Sequence, residues 1–250
     1  MEKIVKILIN RYEAYKRKPY PFIDDIEAIE ANKFLNDIEN NPHVFVLACL
    51  MDRQIPTRRA WIIPQKVSNE LNTYNFKKWA NMKKKVYIDI FNREKLHRFN
   101  TNMANIFYDG IQRIKEKYNG DASEIWRGKP SSSSVVRRFL EFNGCGIKIA
   151  TMAANILATK FKIPFSDYFS IDISPDVHIK RVLPRMGLIP FDLSPEMLMY
   201  MTRELYPKFP GIIDFPCWEI GRTCCKPNKP DCSSCIVETE CKKIIKTQKP

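Results

Sequence analysis

The sequence predicts an all-α fold, and three observations carry that expectation. Apolar residues recur at helical spacing, as in Ile4, Leu8 and Tyr12. No stretch alternates apolar and polar residues over the length of a strand between turn residues. Helix-ending signals follow the periodic segments, Pro19 and Asn119-Gly120 among them. A chain of 250 residues suits one large domain or two small ones.

Taken in order, residues 1–18 read as a helix that stops before Pro19. Residues 28–38 and 45–54 continue the helical pattern. The longest apolar run, 44–51, falls far short of the roughly 20 residues that cross a bilayer and reads as part of a buried helix. The basic run 83–85 is either a solvated face or a DNA contact. A helix over 101–118 ends at Asn119-Gly120. Pro130 with the serines 131–134 reads as a linker or as the cap of the next helix. Residues 135–142 are apolar and basic, Asn143-Gly144-Cys145-Gly146 form a turn, and 147–160 form another helix. Residues 163–175, with Pro164 and Pro175, read as an irregular loop.

A net charge of +13, from 41 Lys and Arg against 28 Asp and Glu, favours a polyanionic partner, because neutralised phosphates release condensed counterions. The first apolar stretch is followed too closely by Glu13, Lys16, Arg17 and Lys18 to be a signal peptide. The expectation is a cytoplasmic protein without membrane association. A reducing compartment argues against structural disulfides.

Of eight cysteines, Cys49 and Cys145 stand alone, while Cys217, Cys224, Cys225, Cys232, Cys235 and Cys241 crowd the end of the sequence. Cys225, Cys232, Cys235 and Cys241 are separated by six, two and five residues. Four thiolates closing on one centre suit a tetrahedral zinc or an iron–sulfur cube. A zinc ribbon commonly has two short C-x2-C pairs, and only one is present here.

This closing C-x6-C-x2-C-x5-C, with Gly221-Arg222-Thr223 before it, resembles the cluster-binding tail of the endonuclease III family of helix-hairpin-helix DNA glycosylases. The resemblance implies a 4Fe–4S cluster held by Cys225, Cys232, Cys235 and Cys241. Cys224 could replace Cys225 by a one-residue shift, and Cys217 lies outside the pattern. Lys226 and Lys229, between the first two ligands and stiffened by Pro227 and Pro230, are candidate phosphate contacts or simply solvated.

The second constellation is a Gly-x-Gly turn between helices, Phe142-Asn143-Gly144-Cys145-Gly146-Ile147-Lys148. Glycines permit a tight turn, and the unpaired N–H groups that open the next helix can hold a phosphate. With the cysteine tail this resembles the family's hairpin, so Gly144 and Gly146 are candidate DNA contacts. Lys148 matches the family's nucleophile, the lysine two residues past the second glycine. The neutral amine attacks C1′, the base leaves, and the Schiff base permits β-elimination. The other reading is a lysine that only touches phosphate.

Asp176-Val177-His178-Ile179-Lys180-Arg181-Val182 resembles the family's catalytic aspartate segment, which places on Asp176 either the stabilisation of positive charge on the sugar or help in deprotonating the nucleophile. An aspartate after Pro175 is equally a helix cap, and Asp172 is its rival. Gln54 resembles the glutamine that fills the gap left by a flipped nucleotide, and residues 97–102 are a candidate opposing wedge. Two departures stand out. Phe142-Asn143 replaces the usual Leu-Pro, and Lys148 to Asp176 is longer than the family spacing, implying an insertion over 161–174. Its Phe165, Tyr168 and Phe169 either pack the loop or stack on a base.

The resemblance implies two helical domains flanking a DNA-binding cleft: a six-helix barrel-like domain over 26–134, and a domain of 1–25 plus 135–250 with a cluster loop at 217–245. It implies a monomeric base-excision-repair glycosylase acting on a damaged or mispaired base in double-stranded DNA, with AP-lyase activity through Lys148. Three alternatives remain open: a monofunctional enzyme in which Asp176 activates water, a non-catalytic iron–sulfur DNA-binding protein, and a redox carrier. The base removed is not legible in the sequence.

Overall fold

A computed structural model describes residues 1–16 and 29–245. Among them are twelve α-helices, two short 3-10 helices and no strand. The all-α expectation holds. No described helix is long and apolar enough to cross a membrane.

The chain divides into two compact units. One comprises Met1–Pro19, Ser131–Val136 and Ala154–Pro250, and the other Tyr20–Pro130 and Arg137–Ala153. The dividing points differ from those read in the sequence. Residues 137–153, which include the hairpin turn, group with the 20–130 segment rather than with the cysteine-rich end. They do so because Phe139 and Phe142 are buried among aromatic residues of that unit. The parts of the two sequence-derived domains that fall on residues 17–28 lie outside the described residues.

The second unit is built around α3 (Pro42–Met51), every residue of which is buried. Its sequence, PHVFVLACLM, has no polar stripe, so it can be satisfied only by neighbours on all sides. These are α2 (Ile29–Asn36), α4 (Thr57–Glu70), α7 (Asn100–Lys117) and the 3-10 turn Ala122–Ile125. Phe45 meets Trp61, Trp126 and Phe139 edge-on, with ring centroids 6.2, 6.2 and 6.5 Å away. Helices α5 (Phe76–Asn81) and α6 (Lys84–Arg93) pack on α7 from outside. Helix α7 stops as its sequence demands, with Asn119 and Gly120 at φ +50° and +81°. Helix α3 stops three residues earlier than the helical reading of 45–54: after Met51 the chain bends through Asp52 and Arg53, and Gln54 adopts φ +53°.

The first unit gathers α1 (Glu2–Lys16), α10 (Val177–Met186), α11 (Pro195–Leu205) and α12 (Asp214–Thr223) about one core. Ile4, Leu8 and Tyr12 of α1 enter it beside Ile179, Val182 and Ile220. A bidentate ion pair from Arg11 to Glu219, at 2.8 and 2.5 Å, fixes α1 on α12. The serine run is a helix start rather than a free linker, since Ser131 Oγ accepts the Ser134 N–H at the head of α8 (Ser132–Leu140). Ser132 Oγ also receives the Ser170 N–H at 3.0 Å, tethering the long loop after α9 (Ile147–Thr159). Within that loop Phe165 is buried and Tyr168 packs on Phe209 at 5.2 Å, whereas Phe169 stays exposed.

Burial of His43 at the start of α3 has a measurable consequence. Its ring sits among Phe34, Phe76 and Trp79, its Nε2 has no hydrogen-bond partner, and burial pushes it down from 6.5 to about 4. Between those values the unfolded chain takes up a proton that the folded one refuses, so this contribution is complete above pH 6.5 and is lost as pH falls to about 4. The loss should be about 3 kcal/mol. Urea titrations at a series of pH values should show it in the wild type and a flatter profile in His43→Leu.

Candidate functional site

The hairpin joins α8 to α9 within the second unit. Phe142 is its anchor: it is buried, stacks on Tyr118 at 6.2 Å and lies under the Arg113 guanidinium at 5.8 Å. Arg113 in turn holds Glu141 at 2.7 Å. The Cys145 N–H closes the turn on the Phe142 carbonyl at 3.0 Å. Gly144 has φ +77°, and a Cβ there would lie 2.8 Å from Ile106 Cδ1 and 2.9 Å from Arg53 Nη1. No other residue fits that position without strain. Gly146 is different: its φ is not left-handed and a Cβ would meet nothing within 4 Å. The second glycine therefore leaves the first turn of α9 uncovered rather than easing the fold. The Ile149 and Ala150 N–H groups close on the Gly146 carbonyl, both at 3.0 Å, so the amides left to face an anion are those that open the turn, at Ile147 and Lys148.

Lys148 stands on this first turn. Its Nζ lies 3.5 Å from Oδ2 of Asp52, the residue that ends α3. Asp52 is only 5 % exposed, whereas Lys148 is half-buried. A carboxylate that deep needs a cationic or hydrogen-bonding partner. Sequence reasoning passed over Asp52. The signal was an acidic residue directly closing a helix that is apolar throughout. The thiols beside this pair are neutral at ordinary pH: burial pushes Cys49 well above its usual range and Cys145 up to about 12.

Gln54 is exposed at the tip of the bend after α3. His97 braces that bend from the 97–102 segment of the same unit. It is buried, its Nδ1 accepts the Phe99 N–H at 3.1 Å, and burial holds it below the usual histidine range while the Arg53 and Met51 carbonyls pull the other way. Phe99 itself is exposed with Arg98 over its ring at 5.3 Å.

Asp176 belongs to the first unit, where it caps α10. Its Oδ1 accepts the N–H groups of His178 and Ile179 at 2.8 and 2.9 Å, and the side chain is part-exposed. The rival Asp172 is buried in a bidentate pair with Arg203 at 2.7 and 2.8 Å, which commits it to structure.

Cys225, Cys232, Cys235 and Cys241 line a single cavity of about 30 Å³ against α10 and α12. Cys224 is not part of that lining: its thiol meets the Ile220 carbonyl at 3.6 Å and neighbours the Cys235 thiol, while Cys217 is fully buried in the core. Arg181 Nε donates to the Cys225 carbonyl at 2.9 Å, while Arg185 donates to the Lys226 and Pro227 carbonyls, both at 2.7 Å. Arg185 Nη1 also lies 3.6 Å from Cys225 Sγ. Burial, reinforced by neighbouring thiols, pushes Cys235 up to about 12 and raises Cys241. Among the described residues no three His, Cys, Asp or Glu donors are close enough to hold a metal ion. Lys226 turns back to bond the Arg222 carbonyl, and Lys229 is exposed.

No protein-family model and no curated protein matches this sequence. Solved structures do match its fold. A trapped endonuclease III–DNA covalent intermediate (estranged-adenine complex) aligns with TM-score 0.65 and 16 % identity, over 97 % of this chain and 96 % of that one. A non-covalent endonuclease III–DNA complex aligns with TM-score 0.64 at 16 % identity, over 97 % and 96 %. A thermostable thymine-DNA glycosylase aligns with TM-score 0.63 at 14 % identity, over 97 % and 95 %. The chain therefore has the all-helical fold of these proteins.

The two glycines of the hairpin should separate by their stability. Gly144→Ala should cost about 2 kcal/mol through its left-handed backbone. Gly146→Ala should change stability by less than about 0.5 kcal/mol, as at an open surface site. Urea unfolding of both variants checks the contrast.

Proposed function

We propose that this protein is a base-excision-repair DNA glycosylase with AP-lyase activity, with Lys148 as nucleophile. The observation that carries the reading is a part-exposed lysine on the first turn of the helix after a Gly-x-Gly hairpin, in the fold in which endonuclease III has been trapped covalently on DNA. The partner is double-stranded DNA with a damaged or mispaired base, met by a monomer, and the net charge of +13 suits it.

Each part of the site has a chemical task. The bare first turn of α9 at Gly146 offers amides and the positive end of the helix dipole to a backbone phosphate. Gln54 and Phe99, exposed on neighbouring loops, occupy the space vacated when the nucleotide leaves the stack. The neutral amine of Lys148 attacks C1′, the C1′–N bond breaks, and the base departs with the electron pair. The resulting Schiff base acidifies the adjacent C2′ proton, whose removal expels the 3′ phosphate. The Asp176 carboxylate, with Oδ1 engaged in its helix cap, stabilises positive charge developing on the sugar.

The four cavity-lining thiols fit a 4Fe–4S cluster: they share one cavity, and Arg181 and Arg185 fasten the segment that bears Cys225. Thiols too far apart to chelate one ion still suit a polynuclear centre, whose ligands bind different iron atoms. Cys225, Cys232, Cys235 and Cys241 would hold it. Its contribution when bound is cross-linking of the loop that carries Lys226 and Lys229.

Incubation with duplexes bearing an abasic site or a single damaged base, with sodium borohydride present, tests the reading. The expected result is a covalent protein–DNA adduct that disappears in Lys148→Ala. Base release without an adduct would instead leave Asp176 activating water. No release or adduct across the panel, from cluster-replete protein, would leave only DNA binding.

Anaerobic reconstitution with iron and sulfide tests the cofactor. Wild-type protein should bind about four iron atoms with broad visible absorbance. Cys225→Ser, Cys232→Ser, Cys235→Ser or Cys241→Ser should abolish or strongly reduce that absorbance, whereas Cys217→Ser and Cys224→Ser should retain it.

A further inference from the structure

Lys148 has to lose a proton before it can attack, and the nearest described acceptor is Asp52, with Oδ2 3.5 Å from Nζ. The contact is long for a charged hydrogen bond, as such contacts commonly are before substrate binds. Among the described residues, the titratable and charged groups placed beside the pair include Cys49 of α3, Cys145 of the hairpin and the Arg53 guanidinium. Both thiols are held protonated by burial and Arg53 is a cation, so none of the three is a competing base. Asp52 itself is fixed: it ends a fully buried helix, and its own N–H bonds the Cys49 carbonyl.

We infer that Asp52 is the proton acceptor of Lys148 in Schiff-base formation, a role that rests on the lyase reading above. On an abasic site, a proton passes from the Lys148 ammonium to Asp52 Oδ2. The freed lone pair forms the N–C1′ bond as the carbonyl electron pair moves to its oxygen, and a second nitrogen proton neutralises that oxygen. The hydroxyl then leaves as water with the proton held by Asp52, and the nitrogen lone pair completes the C=N bond. Protons and charge balance without any further reactant. This gives the site a carboxylate in the same unit as the nucleophile, in addition to Asp176.

The test is single-turnover borohydride trapping on duplex DNA with a preformed abasic site, measured from about pH 6 to about pH 9. With Asp52 as acceptor, the reactive form is the ammonium–carboxylate pair, so the wild-type rate is nearly flat across that range. Asp52→Asn should trap about a hundredfold more slowly at neutral pH, with binding of the abasic duplex retained. Its rate should climb roughly tenfold per pH unit as solvent takes over the deprotonation, and Asp52→Glu should recover part of the loss. A merely structural role would not change the slope of the profile. Trapping by Asp52→Asn as fast as or faster than wild type at neutral pH would overturn the inference and leave the lyase reading intact. Absence of any wild-type adduct would overturn both. Should Asp52→Asn lack the wild-type circular dichroism, the wild-type profile decides alone: a flat profile supports the inference and a tenfold rise per unit rejects it.

Discussion

A helix with no polar face cannot rest at a surface, and α3 is such a helix. The second unit is the solution to that constraint: α2, α4 and α7 each cover part of α3. Because all ten residues are clamped, the point at which the chain leaves the helix is clamped too. Asp52 and Arg53 emerge there with little freedom, and Gln54 must take a left-handed turn to escape. The hairpin is fitted against the same point, since Gly144 sits within contact of Arg53 and Ile106. Position at the candidate site is therefore inherited from hydrophobic packing.

Three aspartates show how surroundings separate chemically identical side chains. Asp172 is spent on a buried fork with Arg203, which leaves it no capacity for chemistry. Asp176 uses one oxygen for a helix cap and remains part-exposed. Asp52 is buried against an amine that reaches toward solvent. Burial, partner and exposure differ, and roles follow from them rather than from the carboxylate itself.

In the first unit α10 plays the part that α3 plays in the second. Its inner face enters the core through Ile179, Val182 and Met186. Arg181 and Arg185, one turn apart, reach from it to carbonyls of Cys225, Lys226 and Pro227. Those carbonyls belong to an irregular segment with no helix or sheet of its own to satisfy them, so the arginines complete its hydrogen bonding. The same helix begins at Asp176, so the cap and the thiol cavity are two ends of one rigid element.

The sequence by itself determined the all-α class, most helix stops, the hairpin with Lys148 at its end, and the crowding of six of the eight cysteines after Cys145. These are legible because they rest on local rules: periodicity, backbone freedom at glycine and proline, and spacing between donors. Only the tertiary structure decided that 137–153 group with 20–130, that Asp172 is neutralised by a residue thirty-one positions away, and that Asp52 meets Lys148 across ninety-six. It also decided that Phe165 packs while Phe169 does not. The physical reason is range. A cap or a turn is settled by neighbours along the chain, whereas the fate of a buried charge or an aromatic ring depends on which distant side chain the fold brings beside it.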